Sequence, residues 1–434
     1  MRFRVNFSLP RPSQSGMKRL LMTMVLIASP ATAPAEQCLV LGDSLTKEYE
    51  AEFPGLFPTN PAAWLARNWI EILHQHRTDW FDTGAWDVYA DIRATGHAHN
   101  WAVPGATTSE LKSLLTNPIN QFWWVNSLKN HIRFDVERVV IFAGGNDADS
   151  YYASLYNGLA GPEVTDVTLS NLQWLVNWVR GVNATVPIVL VSVPHVGCSP
   201  QVQEGYPTDQ VKTGRVTAAM DALNASLGAW AQTQGIGFVP GVYALTKSLI
   251  SEPFRINGIN FYRVSDPNAG MRYVFSGDGF HPATSAHAKI AQLVVEAFNS
   301  TYPATPIQPL TDDYLTTTVM GLDPNLPFLE WMAGQGLSGG FADDSDNDGV
   351  PNLIDFALDE PAMPQPVMQG GILTLSYRPS LVFSEWGTLK AQFSSDLVRW
   401  DDVPAGQTVN HPDGSITVST DLEGRAFLRL QASP

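Results

Sequence analysis

Three short apolar runs constrain this chain most: Cys38-Leu39-Val40-Leu41, Val139-Val140-Ile141-Phe142-Ala143 and Pro187-Ile188-Val189-Leu190-Val191. A strand that is apolar on both faces is buried on both faces, and helical patterns separate these three. The chain is therefore expected to build an α/β domain around a parallel sheet. Open sheets of this class bind ligands beyond the carboxyl ends of their strands. In that position stand Gly42-Asp43-Ser44-Leu45, Gly144-Gly145-Asn146-Asp147, and His195 within Val193-Pro194-His195-Val196-Gly197-Cys198.

Two further motifs, Asn100 to Gly105 and Asp278-Gly279-Phe280-His281, complete a set of parts for acyl transfer. A serine hydroxyl attacks an ester only when a base removes its proton, and His281 is the candidate base for Ser44. Asp278, three residues earlier, is placed to hold one ring nitrogen of His281 and leave the other facing serine. The oxyanion of the intermediate needs donors; the amides of Ser44 and Gly105 and the side-chain NH2 of Asn146 are the candidates. Taken singly, each motif also fits a cap or a tight turn. His287 lies close enough to His281 to compete for the same role.

With its four blocks in the order Ser, Gly, Asn, His, the stretch from residue 38 to residue 298 resembles the SGNH, or GDSL, hydrolase superfamily. The resemblance implies a flavodoxin-like three-layer α/β/α hydrolase domain. It also implies Ser44, Asp278 and His281 as the triad, Ser44, Gly105 and Asn146 as the oxyanion hole, and no cofactor for catalysis. An α/β-hydrolase fits poorly, because Leu45 and Thr46 follow Ser44 where that fold expects Gly-x-Ser-x-Gly.

Arg2, Arg4, Arg11, Lys18 and Arg19 precede the apolar stretch Leu20 to Ala28 and then Ala33-Pro34-Ala35, the pattern of a secretory signal peptide over residues 1–35. A secreted or periplasmic bacterial protein without a transmembrane segment is expected. Removing those five basic residues takes the formal charge from −16 to −21, which argues against nucleic acid as a partner. Cys38 and Cys198 belong to different parallel strands, one at its start and one beyond its end, so no disulfide is expected. The pairs His74/His76 and His97/His99 lack an evident third ligand for a metal. His195 either borders the pocket or makes an ordinary cap.

Part of the acidity is local. With Asp344 at position 1 of a calcium loop, Asp346, Asp348, the Val350 carbonyl, Asn352 and Asp355 fall at positions 3, 5, 7, 9 and 12, with Gly349 at the bend. Aspartate at position 12, in place of the longer glutamate, points to a structural Ca2+ site of the dockerin-like kind and not a sensor. The hydrolase domain is expected over 36–300, a Pro- and Thr-rich linker over 301–327, the calcium-loop module over 328–360 and a small β-sandwich-like domain over 361–434. This tail, with Ser394 to Trp400, resembles those of exported planctomycete and verrucomicrobial proteins. Cell-surface attachment, carbohydrate contact and stabilisation all remain open for it.

Between Ser44 and Gly105 stand Tyr49, Phe53, Phe57, Trp64, Trp69, Trp80, Phe81, Trp86, Tyr89 and Trp101, which either wall a pocket or pack the core. Export, acidity and the appended module favour an ester substrate such as an acetylated polysaccharide. A lipase or arylesterase, and an inactive secreted binding protein on the same scaffold, are the alternatives.

Overall fold

The computed structural model describes residues 35–49, 66–265, 270–358, 363–421 and 427–434. The expected signal peptide therefore lies outside the described residues except for Ala35. The three apolar runs form β1 (Cys38–Gly42), β2 (Arg138–Phe142) and β3 (Ile188–Val191), joined by β4 (Gly237–Val239). All pair in parallel, in the order β1-β2-β3-β4. On the free edge of β1 the segment around Asn100 also runs parallel, with Val40 N donating to His99 O and Trp101 N to Val40 O. Counting that segment second in the chain gives the spatial order 2-1-3-4-5 of a flavodoxin-like sheet, whose switch point lies between β1 and β2.

Alternation along these strands feeds two cores. Leu39, Leu41, Val139, Ile141, Ile188 and Leu190 face α2 (Thr108–Thr116), α3 (Gly145–Tyr156), α4 (Asp166–Val182) and α5 (Lys212–Gln234). Cys38, Val40, Val140, Phe142, Val189 and Val191 face α1 (Trp69–His76), α6 (Pro240–Ser248) and α7 (Thr284–Thr301). Three α/β/α layers result. The hairpin of β5 (Phe254–Ile256) and β6 (Ile259–Ser265), with β7 (Tyr273–Phe275), forms a separate small sheet just before Asp278.

Residues 301–327 correct the expectation of a linker. Ile307, Leu310, Leu315 and Met320 are buried in the second core, and Arg77 donates to the carbonyls of Gln308 and Pro309. Pro-rich composition ruled out long regular elements here but not packing, since each apolar side chain finds the groove beside α1 and α7.

The tail begins with α8 (Leu326–Gly334), the acidic loop and α9 (Asn352–Ala357), then adds α10 (Leu381–Trp386). Its strands are β8 (Val367–Gln369), β9 (Ile372–Tyr377), β10 (Thr388–Ser394), β11 (Asp401–Asp402), β12 (Thr408–Asn410), β13 (Ile416–Asp421) and β14 (Phe427–Ser433). They form two antiparallel sheets, β8-β9-β13-β12 and β11-β10-β14. Leu375, Tyr377 and Val418 from one meet Ala391 and Leu430 from the other, as a small sandwich requires. No helix among the described residues is long and apolar enough to cross a membrane.

If 307–320 belongs to the core, Leu310→Ala should lower unfolding stability by about 2–5 kcal/mol in urea titration. A spacer residue would give a change near zero.

Candidate active site

The turn after β1 is set by contact with β2. A Cβ on Gly42 would stand 2.3 Å from the Phe142 carbonyl oxygen, and Thr46 Oγ1 donates to that same oxygen at 3.2 Å. Only glycine permits this approach. Asp43 Oδ1 accepts from Leu45 N, closing a tight turn that carries Ser44. Burial pushes the Asp43 carboxyl up to about 6 despite donors from Leu45, Gly145 and Gly144.

His281 reaches this turn from the far side. Its Nε2 lies 2.8 Å from Ser44 Oγ, and its Nδ1 lies 2.5 Å from Asp278 Oδ2. A carboxylate only accepts, so Nδ1 carries the proton, Nε2 is bare, and Ser44 donates to it. The other Asp278 oxygen accepts from Ser276 Oγ (2.7 Å), Phe280 N (2.9 Å) and His281 N (3.0 Å). Burial favours the neutral acid, but the bond and charge of His281, with the Phe280 amide and Ser276 hydroxyl, hold Asp278 down at about 2. Ser276 was not singled out from the sequence; Ser-Gly-Asp before the histidine is its only signal.

The remaining two blocks converge at the switch point. Val103 N donates to Gly42 O and Asn100 Nδ2 to Thr46 O, which sets Gly105, at φ +74°, on the loop beside the serine turn. Gly144, at φ +111°, turns β2 into α3, so Asn146 sits in the first helical turn and donates to Ala106 O at 3.1 Å. Asp147 accepts from Thr108 N (2.8 Å), Thr108 Oγ1 (2.6 Å) and Thr168 Oγ1 (3.1 Å), clamping the start of α2 to α3. This clamp, too, had no distinct sequence signal.

Other sequence candidates fall elsewhere. His287 is fully buried, and its Nε2 lies 2.8 Å from the hydroxyl of Tyr49, which donates to Pro282 O. Burial and then the charge of His281 push it down to about 3, and its Nε2 is engaged by Tyr49, whereas it is His281 that meets Ser44. His74 lies tilted against His97 and His99 against His131, while His76 meets Tyr314. His195 borders an apolar cavity of about 40 Å³ beside the serine turn, with Leu45, Gly145, Phe280 and Pro282 also in its wall. Cys38 and Cys198 are free and buried. Of the aromatic residues before Gly105, Tyr49, Trp69, Phe81 and Trp101 are core, Trp86 is exposed, and Phe53, Phe57 and Trp64 lie outside the described residues.

Residues 40–289, which contain all five of these site residues, match the GDSL-like lipase/acylhydrolase family. The chain belongs to that family. Membership supports ester hydrolysis in general. A crystal structure of a candidate acylhydrolase from Bacteroides fragilis is similar over 62% of this chain and 92% of its own, at 16% identity and a TM-score of 0.30. No curated protein matches the chain.

Outside the GDSL-like region, ligand atoms of Asp344, Asp346 and Asp348 lie within 4.8 Å of one another, the single such cluster among the described residues. Gly349 bends the loop at φ +92°, and Asp344 accepts from Asp348 N and Gly349 N. Burial, then the charges of Asp348, Asp346 and Asp344, push Asp355 up to about 6. Asn352, expected at position 9, is engaged within the loop: its side-chain oxygen accepts from Ser345 N and its NH2 donates to Gly340 O and Ser345 Oγ. Its side chain is buried, so these bonds brace the loop from within.

The folded-state pKa of Asp278 is depressed, so its contribution to stability is present above the ordinary carboxylate range and lost as pH falls through about 2. Carbon-13 titration of its carboxyl should give a midpoint near that value. A midpoint near 4 would mean the three donors do not hold it.

Proposed function

We propose that this chain is a secreted serine ester hydrolase that works through an acyl-enzyme on Ser44 and removes acetyl or similarly small acyl groups from carbohydrate esters. The observation that carries the reading is the unbroken relay from Ser44 Oγ to His281 to Asp278, at 2.8 and 2.5 Å. Attack by Oγ on the ester carbon passes the serine proton to His281 Nε2. The resulting imidazolium faces the ionised Asp278. Negative charge on the former carbonyl oxygen is met by the Ser44 and Gly105 amides and Asn146 Nδ2. As the tetrahedral centre collapses, His281 returns the proton to the departing alcohol. Water then repeats the sequence on the acyl-enzyme and releases the acid.

The apolar cavity of about 40 Å³ beside the serine turn has Leu45, Phe280 and Pro282 in its wall but neither Ser44 nor His281, so the small acyl group follows from the carbohydrate reading and not from that cavity. The expected export signal and the appended tail favour an extracellular glycan ester as the alcohol side. A lipase would need room for a longer acyl chain, and an arylesterase for an aromatic alcohol.

The acidic loop is read in the same way as a structural calcium site. Asp344, Asp346, Asp348 and Asp355 would hold the ion, with the Val350 carbonyl. Mutual repulsion among these carboxylates is what a divalent cation relieves.

Ser44→Ala should abolish release of acetate from acetylated xylan and of nitrophenol from acetyl esters while leaving the fold intact, and Asn146→Ala should lower kcat by roughly 10² to 10³. Acetyl, butyryl and octanoyl nitrophenyl esters should be turned over in falling order; preference for octanoyl would replace the carbohydrate esterase with a lipase. Calorimetry at about a hundredfold excess of Ca2+ over its Kd should raise stability by roughly 2.7 kcal/mol. No shift would remove the metal.

A further inference from the structure

The tail is seated on the arm that carries the catalytic acid and base. β5 and β6 form an antiparallel hairpin with Arg255 opposite Asn260, and β6 pairs in parallel with β7 through Tyr262 and Tyr273. β7 then holds both ends of the Asp278–His281 loop: Ala283 N donates to Val274 O, Phe275 bridges Pro282, and Ser276 N donates to His281 O. A shift of β7 therefore moves the loop as a body.

Two ion pairs join this arm to the tail. Arg255 grips Glu385 of α10 as a fork, Nε to Oε2 at 2.9 Å and Nη2 to Oε1 at 3.0 Å. Arg272, the residue before β7, pairs with Glu330 of α8 at 2.8 Å while its Nε and Nη2 donate to Asn260 O of β6. Between them the hairpin turn is pressed close: a Cβ on Gly258 would meet Val382 O at 2.8 Å and Trp386 Cβ at 2.9 Å. Behind α10, Phe383 and Trp386 pack on Phe356 of α9, which follows the acidic loop, and Phe356 packs on Phe328 of α8. The contacts run without a break from the acidic loop to the triad.

We propose that the tail acts on catalysis in cis, with Arg255 and Arg272 as positioning residues that fix β7 and through it the His281 loop. The inference rests on the reading of Asp278 and His281 as the catalytic pair. It gives the tail a role that neither surface attachment nor glycan contact requires.

The test uses the full-length chain and the E330R/E385R variant, which turns both attractions into repulsions, with hydrogen exchange by mass spectrometry and steady-state kinetics on an acetyl nitrophenyl ester. The expected result is loss of protection over 254–265 and 273–283, a fall in kcat of about tenfold and KM within about twofold, as for a misplaced catalytic group. In R255E/E385R, where the Arg255 pair is restored with exchanged partners, kcat should recover relative to E385R alone. A merely structural contact would alter exchange at the hairpin without moving kcat. Loosening of 254–265 with 273–283 and kcat unchanged would overturn the proposal, as would a variant with no change in exchange at all. Exchange needs no substrate, so a wild-type chain that hydrolyses nothing would refute the esterase reading separately from the docking one.

Discussion

Parallel pairing of β1 on both its edges is the constraint from which the site follows. On one side β2 delivers Gly144 to Asp147, and on the other the segment through Asn100 delivers Gly105, so both reach the level of Ser44 at the sheet's carboxyl edge. That pairing puts three backbone turns at one edge of the sheet before any side chain is considered. The serine turn can then lie flat on β2 only because Gly42 has no Cβ. Fold and chemistry thus share one steric requirement. The histidine loop comes from outside the sheet and needs anchors of its own, which β7 and the Tyr49 bond to Pro282 provide.

The polar interior around the site is ordered by what each group can donate. Asp278 uses both oxygens, one for His281 and one for three donors, so it has neither a free rotamer nor a proton to lose near neutral pH. Asp147 performs the same service beside Asn146 by clamping α2 to α3. Buried carboxylates of this kind hold geometry only when their acceptor sites are filled.

Much of this was legible in the sequence, and what was not has a physical reason. Buried parallel strands are apolar on both faces, so Cys38–Leu41, Val139–Ala143 and Pro187–Val191 stood out, and motifs tied to their ends were read in register. The longer tail strands alternate instead, as strands buried on one face do, while the short β8, β11 and β12 carry too few residues to show a period. Residues 301–327 were taken for a linker because Pro and Thr interrupt every period, although Ile307, Leu310, Leu315 and Met320 each fill a core site without forming a regular face. The clamp made by Asp147 and the bonds of Tyr49 run to partners distant in sequence, and Ser276 acts through a single hydroxyl, so these roles leave no pattern even where the residues themselves stand in a motif. Asn352 fits the spacing of a calcium ligand, but spacing alone does not show that its amide also braces the loop.

The central claim is that Ser44, made nucleophilic by His281, carries the acyl group. The most direct measurement is reaction of the full chain with a fluorophosphonate, followed by peptide mass spectrometry, in the wild type and in His281→Ala. A single phosphonylated residue, Ser44, is expected, labelled at a rate that collapses in the His281 variant. Labelling at another residue, or labelling of Ser44 at the same rate without His281, would contradict it.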